Sequence, residues 1–320
     1  MQGDQPKRIL ITGGAGNVGG SLARELVRRG NADVLVVDNL QTGSLDKLPS
    51  AGDRFSFIRA DVNEYTDIAP VFFGFRPDFV FHYAATVGVE RTTQNPMMVL
   101  DDIAGIRNVL TLSKGLGVSR IFYSSSSEVY GEPVEFPQKE DSTPLNSRLP
   151  YAVVKNVGEI FVKTFQREFG LPFTIFRFFN TYGPLQSTDF VVSRFVTQAI
   201  KGEDITIYGD GSQSRTFCYV DDNVEFQIAC LDRGLHENET VNVGSDRELS
   251  VLELAKLVVD RLGSTSKVVN LPALKEGDMR RRVPDNGKMR EALRRDLVSI
   301  EEGIDRVAEH VRSKLSTGRP

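Results

Sequence analysis

The segment that most restricts what this chain can become is Thr12-Gly13-Gly14-Ala15-Gly16-Asn17-Val18-Gly19, which follows the apolar run Arg8–Thr12 and opens a helical pattern over Val18–Arg29. Its glycines form G-x-x-G-x-x-G between a strand and a helix. Such a turn lets backbone N–H groups approach a pyrophosphate held at a helix N-terminus, so Gly13, Gly16, Asn17 and Val18 are the expected phosphate contacts. In that position the pattern signals a dinucleotide-binding βαβ unit and a parallel sheet with helices on both faces.

The rest of the first half keeps the same rhythm. Strands are expected at Val34–Asp38, Phe55–Ala60, Phe79–Phe81, Ile121–Ser124 and Phe173–Phe178, and helices at Met97–Gly115 and Tyr151–Phe169. After Asn180 the pattern changes. Gly183-Pro184 breaks the chain, Phe190–Ile200 reads as a helix, and Ile205–Tyr208 as a short strand. Thr216–Val220, followed by a helix from Asp221, reads as a return to the main sheet. Leu249–Leu262 and Ser299–Lys314 are amphipathic helices. The expected architecture is α/β: a doubly wound parallel sheet with a smaller, interleaved C-terminal lobe closing over the strand ends. Residues 1–180 are assigned to the dinucleotide domain, with a return segment near 215–240, and residues 181–320 mainly to the second lobe.

Asp38 ends the second strand, where an acid can bind adenosine ribose hydroxyls. Asn39-Leu40-Gln41-Thr42-Gly43 contains no Arg or Lys to receive a 2′-phosphate, which favours NAD over NADP. Asp61-Val62 reads equally as an adenine contact or as the N-cap of the next segment.

Downstream, Ser124-Ser125-Ser126-Ser127-Glu128 clusters hydroxyls and one carboxylate where a strand gives way to a loop, the end of an α/β sheet at which ligands bind. Tyr151 and Lys155, an i,i+4 pair, share one helix face. A cation beside a phenol favours the phenolate, so the pair can serve as a base near neutrality. The net charge of −4 gives no reason to expect nucleic acid or an anionic membrane as partner. Cys218 and Cys230 have no metal-type spacing and suit a reduced compartment, and His82, His236 and His310 form no metal constellation. No apolar run spans a membrane, and the polar start lacks a signal-peptide core, so the cytoplasm is the expected location.

Taken together these residues resemble the extended short-chain dehydrogenase/reductase family in its nucleotide-sugar epimerase/dehydratase branch. The likeness rests on Gly13–Gly19, Asp38, Asp61-Val62, His82-Tyr83-Ala84-Ala85, Ser126 with Tyr151 and Lys155, Phe179-Asn180-Thr181-Tyr182-Gly183-Pro184 and Ser212-Gln213-Ser214-Arg215. It implies a Rossmann-type fold and a bound NAD consumed and regenerated within each turnover. Asn39, Gly43, Ala84, Ala85 and Ser124 join the cofactor contacts. It implies that Tyr151 takes the proton of a sugar C4 hydroxyl, that Ser126 holds the same oxygen, and that Lys155 also binds the nicotinamide ribose.

The fate of the C4-oxidised sugar depends on Ser126-Ser127-Glu128. The 4,6-dehydratases carry Thr-Asp-Glu here, the Asp protonating the departing C6 oxygen; a serine is a far poorer acid. Thr-Ser-Glu typifies UDP-glucuronate decarboxylases, which need no C6 acid, and some hexosamine dehydratases share it. Val191–Phe195 and Ile207–Arg215 resemble decarboxylase sequence too, whereas Ala84–Glu90 resembles an epimerase loop. The implied reading is a UDP-glucuronate decarboxylase-like enzyme, with 4,6-dehydration and 4-epimerisation as alternatives. A non-catalytic NAD sensor on the same fold would not need Ser126, Tyr151 and Lys155. The resemblance assigns the nucleotide sugar, UDP-linked, to Val87, Ser127, Asn180, Tyr208, Arg215, Arg280 and Arg282. It also implies a homodimer through the helices Met97–Gly115 and Tyr151–Phe169.

Overall fold

A computed structural model describes residues 6–88, 91–92, 95–272 and 281–317. The first half forms β1 (Lys7–Thr12), α1 (Asn17–Arg29), β2 (Ala32–Asp38), β3 (Phe55–Arg59), α2 (Tyr65–Phe75), β4 (Phe79–His82), α3 (Pro96–Leu116), β5 (Arg120–Ser126), α4 (Pro150–Phe169) and β6 (Phe173–Phe178). The second half forms β7 (Thr181–Tyr182), α5 (Val191–Lys201), β8 (Ile205–Tyr208), β9 (Ser214–Thr216), β10 (Cys218–Tyr219), α6 (Val220–Arg233) and β11 (Glu239–Val243). It ends with β12 (Glu248–Ser250), α7 (Val251–Leu262), β13 (Val268–Leu271), α8 (Gly287–Leu293) and α9 (Ile300–Thr317).

Seven strands make the main sheet in the order β11-β6-β5-β4-β1-β2-β3, and the pairs from β6 to β3 are parallel. This is the Rossmann-type α/β sheet expected from the strand–helix rhythm. The order reverses between β1 and β4, and in such sheets ligands bind beyond the carboxyl ends at that switch point. The strands read as continuous apolar runs because both faces are covered: Ile9, Leu10, Val36, Val37, Val80, Phe81, Ile121 and Phe122 are all buried.

The chain divides into two compact units. The first contains Met1–Val129, Ser147–Phe178 and Gln227–Val241; the second contains Tyr130–Asn146, Phe179–Phe226 and Asn242–Pro320. In the second, β7 pairs with β10, β9 with β12 and β8 with β13. Asn242 fastens the 130–146 segment there: its side chain accepts from Tyr130 Oη and donates to Gln138 O, and its backbone N–H donates to Glu140.

Three details differ from expectation. Thr216–Val220 does not rejoin the main sheet; β9 and β10 pair within the second unit, and the returning strand is β11. Its short Glu239–Val243 run, with a single apolar alternation, gave too weak a signal to compete. The helix α2 was not expected, because Pro70 lies inside it and breaks the usual pattern, yet Ile68, Val71 and Phe72 hold it against the core. Finally, Ser124, Ser125 and Ser126 are the last residues of β5 itself, with the loop beginning as a short helical turn at Ser127–Tyr130.

Candidate active site

The glycine turn is shaped by what stands against it. Gly13 has φ +69, and a Cβ there would lie 2.4 Å from the backbone N of Ala84, so only glycine lets the turn after β1 touch the loop after β4. Helix α1 starts at Gly16 with no side-chain cap and no acid in its first turn, which leaves first-turn N–H groups and the positive end of the helix dipole for an anion. Asn17 Oδ1 is buried and has no hydrogen-bond partner among the described residues. Asp38 braces the turn: its carboxylate accepts from the backbone N–H of Ala15 and of Leu40, at 3.0 and 2.8 Å. Gly43 is needed beside it, because a Cβ there would sit 2.7 Å from Asp38 Oδ1. Asn39 donates through Nδ2 to Asp61, and Asp61 also accepts from the backbone of Asn63. Asp61 is not the N-cap of α2, a place taken by Glu64. These groups fit a dinucleotide: an uncapped helix start for the diphosphate and a carboxylate at the end of β2 for ribose hydroxyls.

Ser124, Ser126, Ser127, Glu128, Tyr151 and Lys155 come together within the first unit. Lys155 is 3% exposed. Its ammonium donates to Ser124 O at 2.7 Å and Ser124 Oγ at 3.2 Å, and lies 5.8 Å from the Tyr151 ring centroid. Burial pulls the Lys155 pKa down to about 8, with the Asp102 carboxylate pulling the other way. Ser126 Oγ accepts from the backbone N–H of Glu128 at 3.2 Å. Ser127 is buried at 2% and Glu128 is half-buried on the turn after it. Ala84, Ala85 and Val87 occupy the loop after β4, where Val87 O accepts from Arg91.

Sequence reasoning missed the base of this cluster. Ser125, on the opposite face of β5 from its neighbours, donates to Glu159 Oε1 at 2.6 Å, and Arg177 of β6 grips both Glu159 oxygens at 2.8 and 2.7 Å. All three side chains are buried. Glu159 lies one helical turn beyond Lys155 and two beyond Tyr151, a spacing that could have exposed it as part of the same face. Arg59, paired with Asp38 across β2 and β3, was also missed; its Nε donates to Asn39 O at 3.3 Å. His82 is only half satisfied: Nδ1 bonds Thr12 Oγ1 at 2.8 Å, and Nε2 has no partner among the described residues.

In the second unit, Asn180 donates to Thr216 O, Tyr208 stacks under Arg194 with 5.6 Å between guanidinium and ring centroid, and Arg215 is buried and donates to Ser214 O. Of the arginine run, Arg282 is buried, whereas Arg281 is committed to a two-pronged pair with Glu248 and lies over Phe136. Arg280 and Glu90 lie outside the described residues. Among the described residues no group of three or more His, Cys, Asp or Glu could hold a metal ion, and no helix is long and apolar enough to cross a membrane.

Residues 9–244 match the NAD dependent epimerase/dehydratase family. UDP-glucuronic acid decarboxylase 1 of Arabidopsis thaliana is 35% identical over 321 residues, covering 96% of this chain and 70% of that enzyme. Among solved structures, the UDP-glucose 4-epimerase of Thermotoga maritima with UDP-glucose superposes with a TM-score of 0.90 at 32% identity, covering 96% of this chain and 99% of that one. The dTDP-glucose 4,6-dehydratase DesIV of Streptomyces venezuelae, a double mutant with NAD bound, gives 0.89 at 29% identity over 97% and 98% of the two chains.

Proposed function

Because this chain belongs to the NAD dependent epimerase/dehydratase family, we propose that it oxidises a nucleotide sugar transiently at C4 and decarboxylates it, with UDP-glucuronate as substrate. The observation that carries this reading is local. Glu128 stands on the same turn as Ser126, tied to it by a backbone hydrogen bond, and the residue between them is the buried Ser127 rather than an acid. The likeness to UDP-glucuronic acid decarboxylase 1 supports it.

NAD, held by Gly13, Gly16, Asn17, Val18, Asp38 and Lys155, would supply the acceptor and later the donor of a hydride at C4. Tyr151 takes the proton of the C4 hydroxyl, and the ammonium of Lys155 offsets the negative charge left on the phenol oxygen. Ser126 donates to the C4 oxygen. The C4 ketone lets carbon dioxide leave C5, its bonding electrons passing into the carbonyl, and Glu128 passes a proton from solvent to C5. A hydroxyl at 127 suffices because no oxygen leaves C6. Asn180, Tyr208, Arg215 and Arg282 are assigned to the nucleotide diphosphate, the arginines as charge-assisted donors.

Incubation with UDP-glucuronate, UDP-glucose and UDP-N-acetylglucosamine in deuterated water tests the reading. Carbon dioxide release from the first supports it. Water loss with deuterium at C5 would mark a dehydratase, and C4 inversion without C5 label an epimerase. The epimerase is the second reading, favoured by the Ala84–Glu90 sequence and by the likeness to the Thermotoga enzyme. Tyr151→Phe should lower kcat by about 100-fold or more while nucleotide binding persists; full activity in that variant would sink the mechanism. Glu128→Gln should slow protonation at C5, and with it formation of the decarboxylated sugar, without slowing C4 oxidation.

The chain is further proposed to act as a homodimer through α3 and α4, which expose Met97, Leu100, Val153 and Ile160. A reducing cytoplasm suits Cys218 and Cys230, which are both buried and free.

A further inference from the structure

Glu248 on β12 holds two residues that are far apart in the sequence. Its Oε1 accepts from Ser214 Oγ on β9 and from Arg281 Nε, the latter at 2.7 Å, and its Oε2 accepts from Arg281 Nη2 at 2.8 Å. Each of the two is the chain neighbour of a buried arginine: Ser214 precedes Arg215, and Arg281 precedes Arg282. All five residues belong to the second unit.

We propose that Glu248 is a positioning residue for nucleotide-diphosphate binding, its carboxylate setting Arg215 and Arg282 in place relative to each other by fastening the residue before each. β9 and β12 run antiparallel, with Ser214 opposite Ser250 and Thr216 opposite Glu248. Ser214 and Glu248 thus share one face of the pair, and Arg215 belongs to the other. Arg215 also donates to Ser214 O. Holding Ser214 on its face therefore holds the Arg215 guanidinium on the opposite one.

Arg282 lies between two anchors. After it, the backbone N–H of Gln138 donates to Val283 O at 2.8 Å, and the N–H of Asp285 donates to Gln138 O at 2.7 Å. Before it, Arg281 is held by Glu248 and by the Phe136 ring, whose centroid is 4.2 Å from the guanidinium carbon.

This arrangement calls for a carboxylate. The guanidinium fork takes two acceptor oxygens, and one of them accepts from Ser214 as well. A glutamine has one oxygen and would set its NH2 against the guanidinium. Stability does not account for the pair, because Arg281 is exposed and an ion pair open to water contributes little. Pairing also cancels the Glu248 charge, which alone would oppose a diphosphate held by Arg215 and Arg282.

The role of Glu248 rests on the assignment of Arg215 and Arg282 proposed above, and the test separates the two. UDP and NAD affinities are measured by calorimetry, and kcat and KM with UDP-glucuronate. In Glu248→Gln the Kd for UDP should rise about tenfold, the equivalent of roughly one charge-assisted hydrogen bond to the diphosphate. KM should rise in step, with kcat within about twofold of the parent and NAD affinity unchanged. Arg281→Lys, which keeps the charge but not the fork, should weaken UDP binding in the same direction. Glu248→Gln combined with Arg281→Met should weaken it no further than the worse single variant, because the two side chains act as one unit. Parental UDP affinity in Glu248→Gln, or losses that multiply in the double variant, would overturn the role of Glu248 and leave the arginine assignment standing. Loss of NAD affinity in Glu248→Gln would mark a general structural part and overturn it too. Unimpaired UDP binding in Arg215→Ala and Arg282→Ala would overturn the assignment beneath it.

Discussion

At the scale of single residues the site consists of polar groups kept in states that water would not favour. Lys155 holds a charge in a buried place at the expense of its pKa. His82 does the reverse, staying neutral with its pKa lowered to about 3 by burial and then by the Lys155 charge. A histidine whose folded pKa lies below its unfolded value binds fewer protons when folded. Its contribution to stability is thus complete above about pH 6.5 and is lost as pH falls from there toward 3. The gap between 6.5 and about 3 corresponds to at most about 5 kcal/mol. Urea unfolding between pH 7 and pH 4 should accordingly show a shallower pH slope in His82→Gln than in the parent. Equal slopes would mean that His82 is protonated in the folded protein or already screened.

At the scale of elements, the placing of Tyr151 and Lys155 depends on how α4 is pinned to β5 and β6. Tyr151 and Lys155 can serve the serines of β5 only if the helix keeps its pitch and rotation. The Ser125–Glu159–Arg177 cluster ties that helix to both strands. Burial alone would raise the Glu159 pKa, but the Arg177 hydrogen bond and charge, with Ser125 and Lys163, bring it below the usual range. Removing one partner leaves the other charge buried and unpaired, so Glu159→Gln should cost about 3–5 kcal/mol of stability. Replacing both, in Glu159→Leu with Arg177→Met, should cost less than the single change. Chemical denaturation of the three proteins checks this, and a double variant less stable than Glu159→Gln would contradict it. The glycine turn makes the complementary point. Gly13 is fixed by the Ala84 backbone, in the loop after a different strand, rather than by its own turn alone.

At the scale of the whole molecule, the proposed pairing of two copies would cover apolar residues that α3 and α4 leave exposed. Met97 is 70% exposed on α3 and Ile160 58% exposed on α4. Light scattering should report twice the chain mass, and Met97→Asp with Ile160→Asp should reduce it to a single chain. A monomeric parent protein would refute the pairing.

How much of this was legible beforehand differs by kind. The parallel sheet, its glycine turn and the acid ending β2 could be read from the sequence because each is set by local chemistry: apolar runs, a turn only glycine can make, and a carboxylate at a fixed place in a βαβ unit. Tyr151 and Lys155 were legible for the same reason, as an i,i+4 pair on one helix. Other features come from segments distant in the chain and carry no local pattern. The strand returning to the sheet is β11 rather than Thr216–Val220, since edge pairing depends on which segment finds β6 unpaired. Of three consecutive arginines, Arg281 is spent on Glu248, 33 residues away. Glu159, an ordinary helix acid in the sequence, acquires its character from Ser125 and Arg177. Burial and charge pairing are properties of the assembled neighbourhood, and it is the folded chain that turns a lysine into a cation with a pKa of about 8 beside a tyrosine.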